Sequence, residues 1–333
     1  MQQAAYFRQH EQCGVVCQLC PRECIINEGK NGFCRVRSNT AGVLYANNYG
    51  SCTACSLDPI EKKPLYHFYP GSYILSLGSW GCNFTCQFCQ NWHIAQKTPE
   101  TVEMSPREAT SKAVKATKID NRNIGLAYTY SEPSVWYEYV LATAKLLKAE
   151  GLKNVLITNG FINKEPLLEL LPFIDAVNID VKAFNDDYYR NICGGQLSDV
   201  KKTVELAINL AHVEVTCLVV PGGNDDLEEL AALTKWLAEL NKDIPLHFSR
   251  YFPNYKMTNP PTPVTTLEAA YRVARQKLNY VYLGNVEGNG NTYCPGCGKL
   301  VIDRQCLRSY LTEENQCSGC GKNIKLAGKP VFK

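Results

Sequence analysis

The stretch SYILSLGSWGCNFTCQFCQNW, residues 72–92, decides how the chain is read. Its first part, SYILSLGSW (72–80), is a short run of β-forming residues, and a cysteine-bearing loop follows it without a break. Similar runs recur at NIGLAYTY (123–130), KNVLIT (153–158), DAVNIDV (175–181), VEVTCLVV (213–220) and PLHFSRY (245–251). Between them SPREATSKAVKAT, SVWYEYVLATAKLLKAE, KEPLLELL, LSDVKKTVELAINLA and DDLEELAALTKWLAEL place apolar residues at i, i+3, i+4 and i+7, the helical period. Ser105-Pro106-x-Glu108 opens the first of these with a Ser N-cap and Pro at the first helical position. Such alternation implies an α/β chain with a parallel sheet and right-handed crossovers. Six units, with YVYLGNV (280–286) as a further strand, suit a partial (β/α) barrel or a doubly wound sheet. In either, ligands bind at the C-terminal strand ends, where the cysteine loop falls.

The 333 residues include 17 cysteines, 45% apolar and 20% charged residues, with 35 Lys+Arg against 32 Asp+Glu. The chain is too apolar for disorder, and its net charge of +3 gives no footprint for nucleic acid or an anionic membrane. No apolar stretch reaches the length of a bilayer span, and the opening MQQAAYFRQHEQCG is polar where a signal peptide needs an apolar core. A cytoplasmic chain without a membrane partner is expected. In a reduced cytosol so many thiols point to metal or iron–sulfur ligation rather than disulfides.

Cys82-Asn-Phe-Thr-Cys86-Gln-Phe-Cys89 is a C-x3-C-x2-C loop at a strand end. Three thiolates on a short loop can hold three irons of a [4Fe-4S] cube and leave the fourth open for chemistry. Spacing alone is a weak witness, since Cys13, Cys17 and Cys20 repeat it. That copy lacks a preceding strand and has Leu19 where the central loop has Phe88. The alternatives for the central triad are a zinc site completed by His93 or buried small thiols; His93 itself is read as packing.

Taken with CQLCPRECIINEGKNGFCRVR, DPIEKKPLYHFYPGS, YTYSEP, ITNGF, NIDVKAF, LHFSRYFPNYKM and NTYCPGCG, the loop resembles the radical S-adenosylmethionine (SAM) enzymes. The likeness is to the branch of pyruvate formate-lyase-activating enzymes, and most closely to those of the AmmeMemoRadiSam system. It implies a partial (β/α)6 TIM-type barrel over residues 71–286, after a Cys-rich metal-binding segment (1–70) and before a zinc-ribbon module (287–333). It also implies that SAM binds the open iron and is cleaved reductively to methionine and a 5′-deoxyadenosyl radical. By position, Phe88 lies beside the adenine, and Glu132 of Tyr130-Ser131-Glu132, where the family has Gly-Gly-Glu, accepts from the SAM ammonium. Lys182 of Asp180-Val181-Lys182 pairs with the SAM carboxylate, Asp180 helps bind a nearby cation, and Thr158 and Asn159 offer polar contacts. Read from the residues alone, Glu132 is equally a helix N-terminal carboxylate and Lys182 a solvated strand-end lysine. His247 and Arg250 are further cofactor-binding candidates; their odd separation allows only one to face the barrel axis.

The ends carry the remaining metal chemistry. Cys294-x2-Cys297-x19-Cys317-x2-Cys320 has zinc-ribbon spacing, with Gly298 and Gly321 placed for tight knuckles. Cys17-x2-Cys20-x3-Cys24-x9-Cys34 offers four ligands for zinc or an auxiliary iron–sulfur cluster, and the sequence leaves that choice open. Cys13, Cys52 and Cys55 are spare candidates for that set; Cys52, Cys55, Cys217 and Cys306 read as packing, and Cys193 as packing or a thiyl participant. The expected activity is hydrogen abstraction from a protein or small-molecule substrate. Its expected partners are a one-electron donor such as ferredoxin or flavodoxin, and Memo-like and AmmeMemo-system proteins. Activation of a glycyl-radical enzyme is one alternative, and a non-catalytic binding protein or electron carrier is another.

Overall fold

The computed structural model describes residues 2–11, 14–288 and 290–332, so Cys13 lies outside the described residues. Its central sheet holds β1 (Ala54–Pro59), β2 (Tyr73–Gly78), β3 (Asn123–Thr129), β4 (Lys153–Thr158), β5 (Ala176–Asp180), β6 (His212–Val219), β7 (Leu246–Arg250) and β8 (Val281–Gly284). The strands lie side by side in chain order. From β2 to β8 every pairing is parallel, with helices Pro106–Ile119, Tyr137–Ala149, Lys164–Leu170, Leu197–Ala207, Leu227–Leu240 and Val264–Arg275 in the crossovers. The strands are largely buried, as they must be when helices cover the sheet, and Leu230, Leu233, Trp236 and Leu237 show one helix burying its apolar stripe. Ser105 and Glu108 form the reciprocal capping box read from the sequence.

One feature differs from expectation. The seven parallel strands include the further one read at 280–286, but β1 extends the sheet by pairing antiparallel with β2 from Ala54↔Gly78 to Pro59↔Tyr73. The core sheet therefore begins well before residue 71, inside the segment expected to be a separate metal module. ACSLDP, polar and ending in Pro, shows no buried alternation, so only the edge of β2 reveals it as a strand.

The remaining N-terminal residues form two small antiparallel sheets, Gln2–Gln3/Val43–Ala46/Arg37–Thr40 and Phe7–Gln9/Val15–Cys17/Ile25–Ile26, while Ser51–Cys52 pairs antiparallel with Val102–Glu103. Arg37 fixes them to the barrel through a buried bidentate pair with Glu138 at 2.6 and 2.8 Å, and the Ala5 N–H donates to the same carboxylate. At the other end, Thr292–Tyr293, Leu300–Asp303 and Arg308–Ser309 make the three-stranded ribbon. The tail beyond it returns to the barrel, pairing Ala327 with Phe68.

The N-terminal ends of β6 and β7 form a closed floor. Glu214 is fully buried and accepts from the Tyr66 and His67 backbone N–H groups and from His212 and His247, the last at 2.6 Å. This corrects the placing of His247 in cofactor binding. It does face the barrel axis, but one layer below the cavity, packed on Tyr66 and Tyr282. Arg250 points away from the axis, and its Nε–H donates to the Thr262 carbonyl at 2.8 Å. Burial alone would push the Glu214 carboxyl up; the bonds and charges of His212 and His247 outweigh it and hold the group well below the carboxylate range.

A folded pKa below the unfolded one means that stabilisation is present above about pH 4.3 and is lost as pH falls through the folded value. Glu214→Gln leaves buried donors unpaired, at a cost of about 1–3 kcal/mol. The variant should melt several degrees below the parent at pH 7, with the gap narrowing below about pH 4. Equal melting temperatures at pH 7 would show that the floor does not depend on this carboxylate.

Candidate active site

A cavity of about 360 Å³ opens at the C-terminal ends of the parallel strands. Cys82, Cys86, Cys89, Phe88, Glu132, Thr158, Asn159, Asp180 and Lys182 all line it, whereas His247 and Arg250 do not. Thr216, Leu218 and Ser249 complete the wall from β6 and β7. His93, expected to pack, is exposed.

The cysteine loop is mounted by its backbone. The Thr85 and Gln87 N–H groups donate to the carbonyls of Cys193 and Ile192, so the loop runs along the turn after β5. A Cβ at Gly195 would sit 2.1 Å from the Phe84 ring, so glycine there lets the loop close down. Asn83 fixes the other side: its amide donates to the Phe161 carbonyl at 2.7 Å and accepts from the Asn159 amide at 2.9 Å. Asn159 Nδ2 also approaches Cys82 Sγ at 3.7 Å. Asn83 was missed at the sequence level; a fully buried amide between two cysteines is its only signal.

Burial, together with the nearby Glu132 charge, pushes the Cys82 thiol well up; Cys193 beside it and burial do the same to Cys86, and burial raises Cys89 to about 11. Thiolates form in such a place only against a compensating cation, which iron supplies. Among the described residues, the C-terminal four cysteines gather their sulfurs within 4.8 Å of one another, and the triad forms no such compact single-ion group. The donor set fits a [4Fe-4S] cube with one iron lacking a cysteine.

Glu132 Oε1 accepts from the Ser134 N–H at 2.9 Å and Thr158 Oγ1 at 2.6 Å, and Oε2 from the Asn159 N–H at 2.8 Å. A carboxylate has about four acceptor positions. The Ser134 hydroxyl also bonds this carboxylate, which lines the cavity. Burial raises the Glu132 carboxyl despite these bonds. Lys182 pairs with Asp180 at 2.8 Å; burial pulls the ammonium down, but Asp180 and Cys86 more than reverse this and keep it charged. Two of its N–H groups are left for an anion.

Tyr130, where the family pattern has glycine, adopts the left-handed conformation at φ 69°. This costs an ordinary residue about 1–2 kcal/mol. Its hydroxyl donates to Asp58 and its carbonyl accepts from the Asn91 amide, while Gly78 leaves room for the ring. The same Asp58 holds Lys63 at 2.9 Å, so Lys62 and Lys63, within the DPIEKKPLYHFYPGS block, form a cationic wall of the cavity.

The two terminal cysteine sets differ. Cys294 and Cys320 lie 3.6 Å apart, as do Cys297 and Cys317, and all four sulfurs fall within 4.8 Å. Gly298 and Gly321 take φ of 75° and 73°, closing the two knuckles as expected. This set could hold one tetrahedral metal ion. Cys17, Cys20, Cys24 and Cys34 line a separate small cavity with Arg22 and Arg37, beside Asn83. Cys217 is buried, as expected of a packing residue, whereas Cys55 and Cys306 are exposed.

Gly195→Ala tests the loop mounting. Forcing Phe84 aside should cost about 1–3 kcal/mol. A lowered melting temperature with a lowered yield of reconstituted iron at the triad is expected; an unchanged melt would mean that Phe84 moves freely.

Residues 79–234 match the Radical SAM superfamily. An uncharacterized protein of Methanocaldococcus jannaschii is 44% identical over 336 residues, covering 98% of this chain and 99% of that one. The pyruvate formate-lyase 1-activating enzyme of Escherichia coli is 30% identical over 155 residues, 44% of this chain and 61% of the enzyme, so the match spans less than two thirds of its length. Among solved structures, Streptococcus suis SuiB bound to S-adenosylmethionine has a TM-score of 0.51 at 12% identity, covering 62% of this chain and 48% of that one, a likeness of fold. With a strand-end triad on a parallel α/β sheet, and a full-length relative beside these matches, the chain belongs to the radical SAM superfamily of enzymes.

Proposed function

We propose that the protein cleaves SAM reductively at a [4Fe-4S] cluster on Cys82, Cys86 and Cys89 and abstracts hydrogen from a substrate. What carries this reading is the sharing of one cavity by three thiols, the Glu132 carboxylate and the Asp180–Lys182 pair. When bound, the cluster supplies the electron that splits SAM into methionine and a 5′-deoxyadenosyl radical. The protein's own residues bind and orient. Glu132 Oε2 takes the SAM ammonium, and Lys182 takes the carboxylate in a charge-assisted pairing. Phe88, stacked on Tyr188, forms the wall for the adenine, with Thr158 and Asn159 as polar edges. The closed floor around Glu214 keeps water from entering beneath, which protects a radical from side reactions.

A one-electron donor such as ferredoxin or flavodoxin feeds the site, and the likeness to the AmmeMemoRadiSam branch suggests Memo-like and AmmeMemo-system proteins as neighbours in the reaction. A second reading, activation of a glycyl-radical enzyme, is favoured by the similarity to the Escherichia coli activating enzyme. It predicts an organic-radical EPR doublet on the partner enzyme after anaerobic incubation. A purely structural role for the metals leaves the cavity shared by the thiols, Glu132 and Lys182 without a use.

Anaerobic reconstitution with iron and sulfide, reduction by dithionite and chromatography for 5′-deoxyadenosine test the leading reading. The parent should form the product and Cys86→Ala should not. No product from the parent, or equal product from the variant, would overturn it.

For the C-terminal set we propose zinc. The purified protein should hold about one zinc there, and Cys297→Ala should lose it and lower the melting temperature, since so small a module depends on metal for much of its folding free energy. Zinc retained in full by the variant would refute the assignment.

A further inference from the structure

We propose that Cys17, Cys20, Cys24 and Cys34 hold a second [4Fe-4S] cluster, set against the loop that carries the catalytic triad. The sequence left zinc and iron–sulfur equally open at these residues. Their arrangement separates the two.

The four thiols come from one hairpin and one turn. Strand Val15–Cys17 pairs with Ile25–Ile26, and the Cys17 N–H donates to the Cys24 carbonyl, placing those two at the hairpin stem. Cys20 sits at its tip, where the Glu23 N–H closes back onto the Cys20 carbonyl. Cys34 enters from the turn in which the Arg35 N–H donates to the Gly32 carbonyl. All four line one cavity, walled otherwise by Leu19, Ile26 and Val135 and by two arginines. None is in a disulfide.

Spacing decides the occupant. Four thiolates around one zinc with bonds of about 2.3 Å stand about 3.8 Å apart. The C-terminal set has that spacing, whereas no three of the N-terminal sulfurs come within 4.8 Å of one another. Yet all four line one cavity, and Cys20 is close enough to feel the charge of the other three. Mutual neighbours too far apart for one ion are what a cube needs, with an iron at each corner interposed.

The surroundings suit an anionic cluster. Arg37 is fully buried, and its Nε–H, on the cavity wall, finds no hydrogen-bond partner among the described residues. A cluster sulfide or cysteine sulfur would accept from it. Arg22 lies on the same wall and donates from Nε to the Asn83 carbonyl at 2.7 Å, which puts one guanidinium between the two cysteine sets. The backbones also meet: a Cβ at Gly81 would lie 2.8 Å from the Cys34 carbonyl oxygen. With a cysteine for each iron this cluster has no open position, so SAM binds at the triad alone.

The test removes the triad and leaves the proposed site untouched. The full-length Cys82→Ala/Cys86→Ala/Cys89→Ala protein is reconstituted anaerobically and assayed for iron, sulfide and zinc, with EPR after dithionite reduction. About four irons and four sulfides per chain are expected, with a reduced-cluster EPR signal. Adding Cys17→Ser/Cys34→Ser to this variant should abolish them while the C-terminal zinc remains. Iron-free triad variant, with or without a second zinc, would overturn the proposal, as would iron that survives the added substitutions. Because 5′-deoxyadenosine formation is read on the parent, failure of the catalytic reading and failure of this one are separable.

Discussion

Asn83 is the constraint on which the rest of the site depends. It is fully buried, so each of its polar atoms needs a partner, and the partners come from two distant parts of the chain. Its amide bonds Phe161 and Asn159 beyond β4, and its carbonyl accepts from Arg22 of the N-terminal hairpin. Satisfying one asparagine therefore sets the cysteine loop against the strand end and the N-terminal module at once. Asn159 passes the constraint on: its backbone N–H holds Glu132, whose other oxygen holds Thr158. The cavity wall is a chain of such obligations, each enforced by the cost of a buried donor or acceptor left unpaired.

The two ends of the sheet serve different purposes through the same alternation of side chains. Along β7, His247 and Ser249 both face the axis; the first belongs to the Glu214 floor and the second to the cavity wall. The floor is polar yet closed because every Glu214 bond is internal to the protein. Two regions remote in sequence, Tyr66–His67 and the C-terminal tail, meet there, with His67 bonded to the Lys325 carbonyl and to Tyr282. The ribbon is thus tied to the barrel bottom while the N-terminal cysteines lie by its mouth.

Much of this was legible beforehand. The parallel strands from Tyr73 onward and the Ser105 cap follow from period and capping chemistry, which are local. The triad and the ribbon were legible because metal ligation fixes spacing along the chain. β1 was not, because its order comes from an edge to pair with rather than from its own residues. Nor was the role of Tyr130: a left-handed tyrosine in a glycine position is sustained by Asp58 and Asn91, which are distant in sequence.

The sequence by itself determined the α/β order, the cysteine loop at the end of the first parallel strand, and three thiolate sets with their spacings along the chain. Only the tertiary structure decided how closely the sulfurs of the ribbon gather, which of His247 and Lys182 reaches the cavity, and that the N-terminal set abuts the catalytic loop. The physical reason is that residue type and period act within a few residues, whereas the distance between thiols and the pairing of buried charges depend on contacts that exist only once the chain has closed.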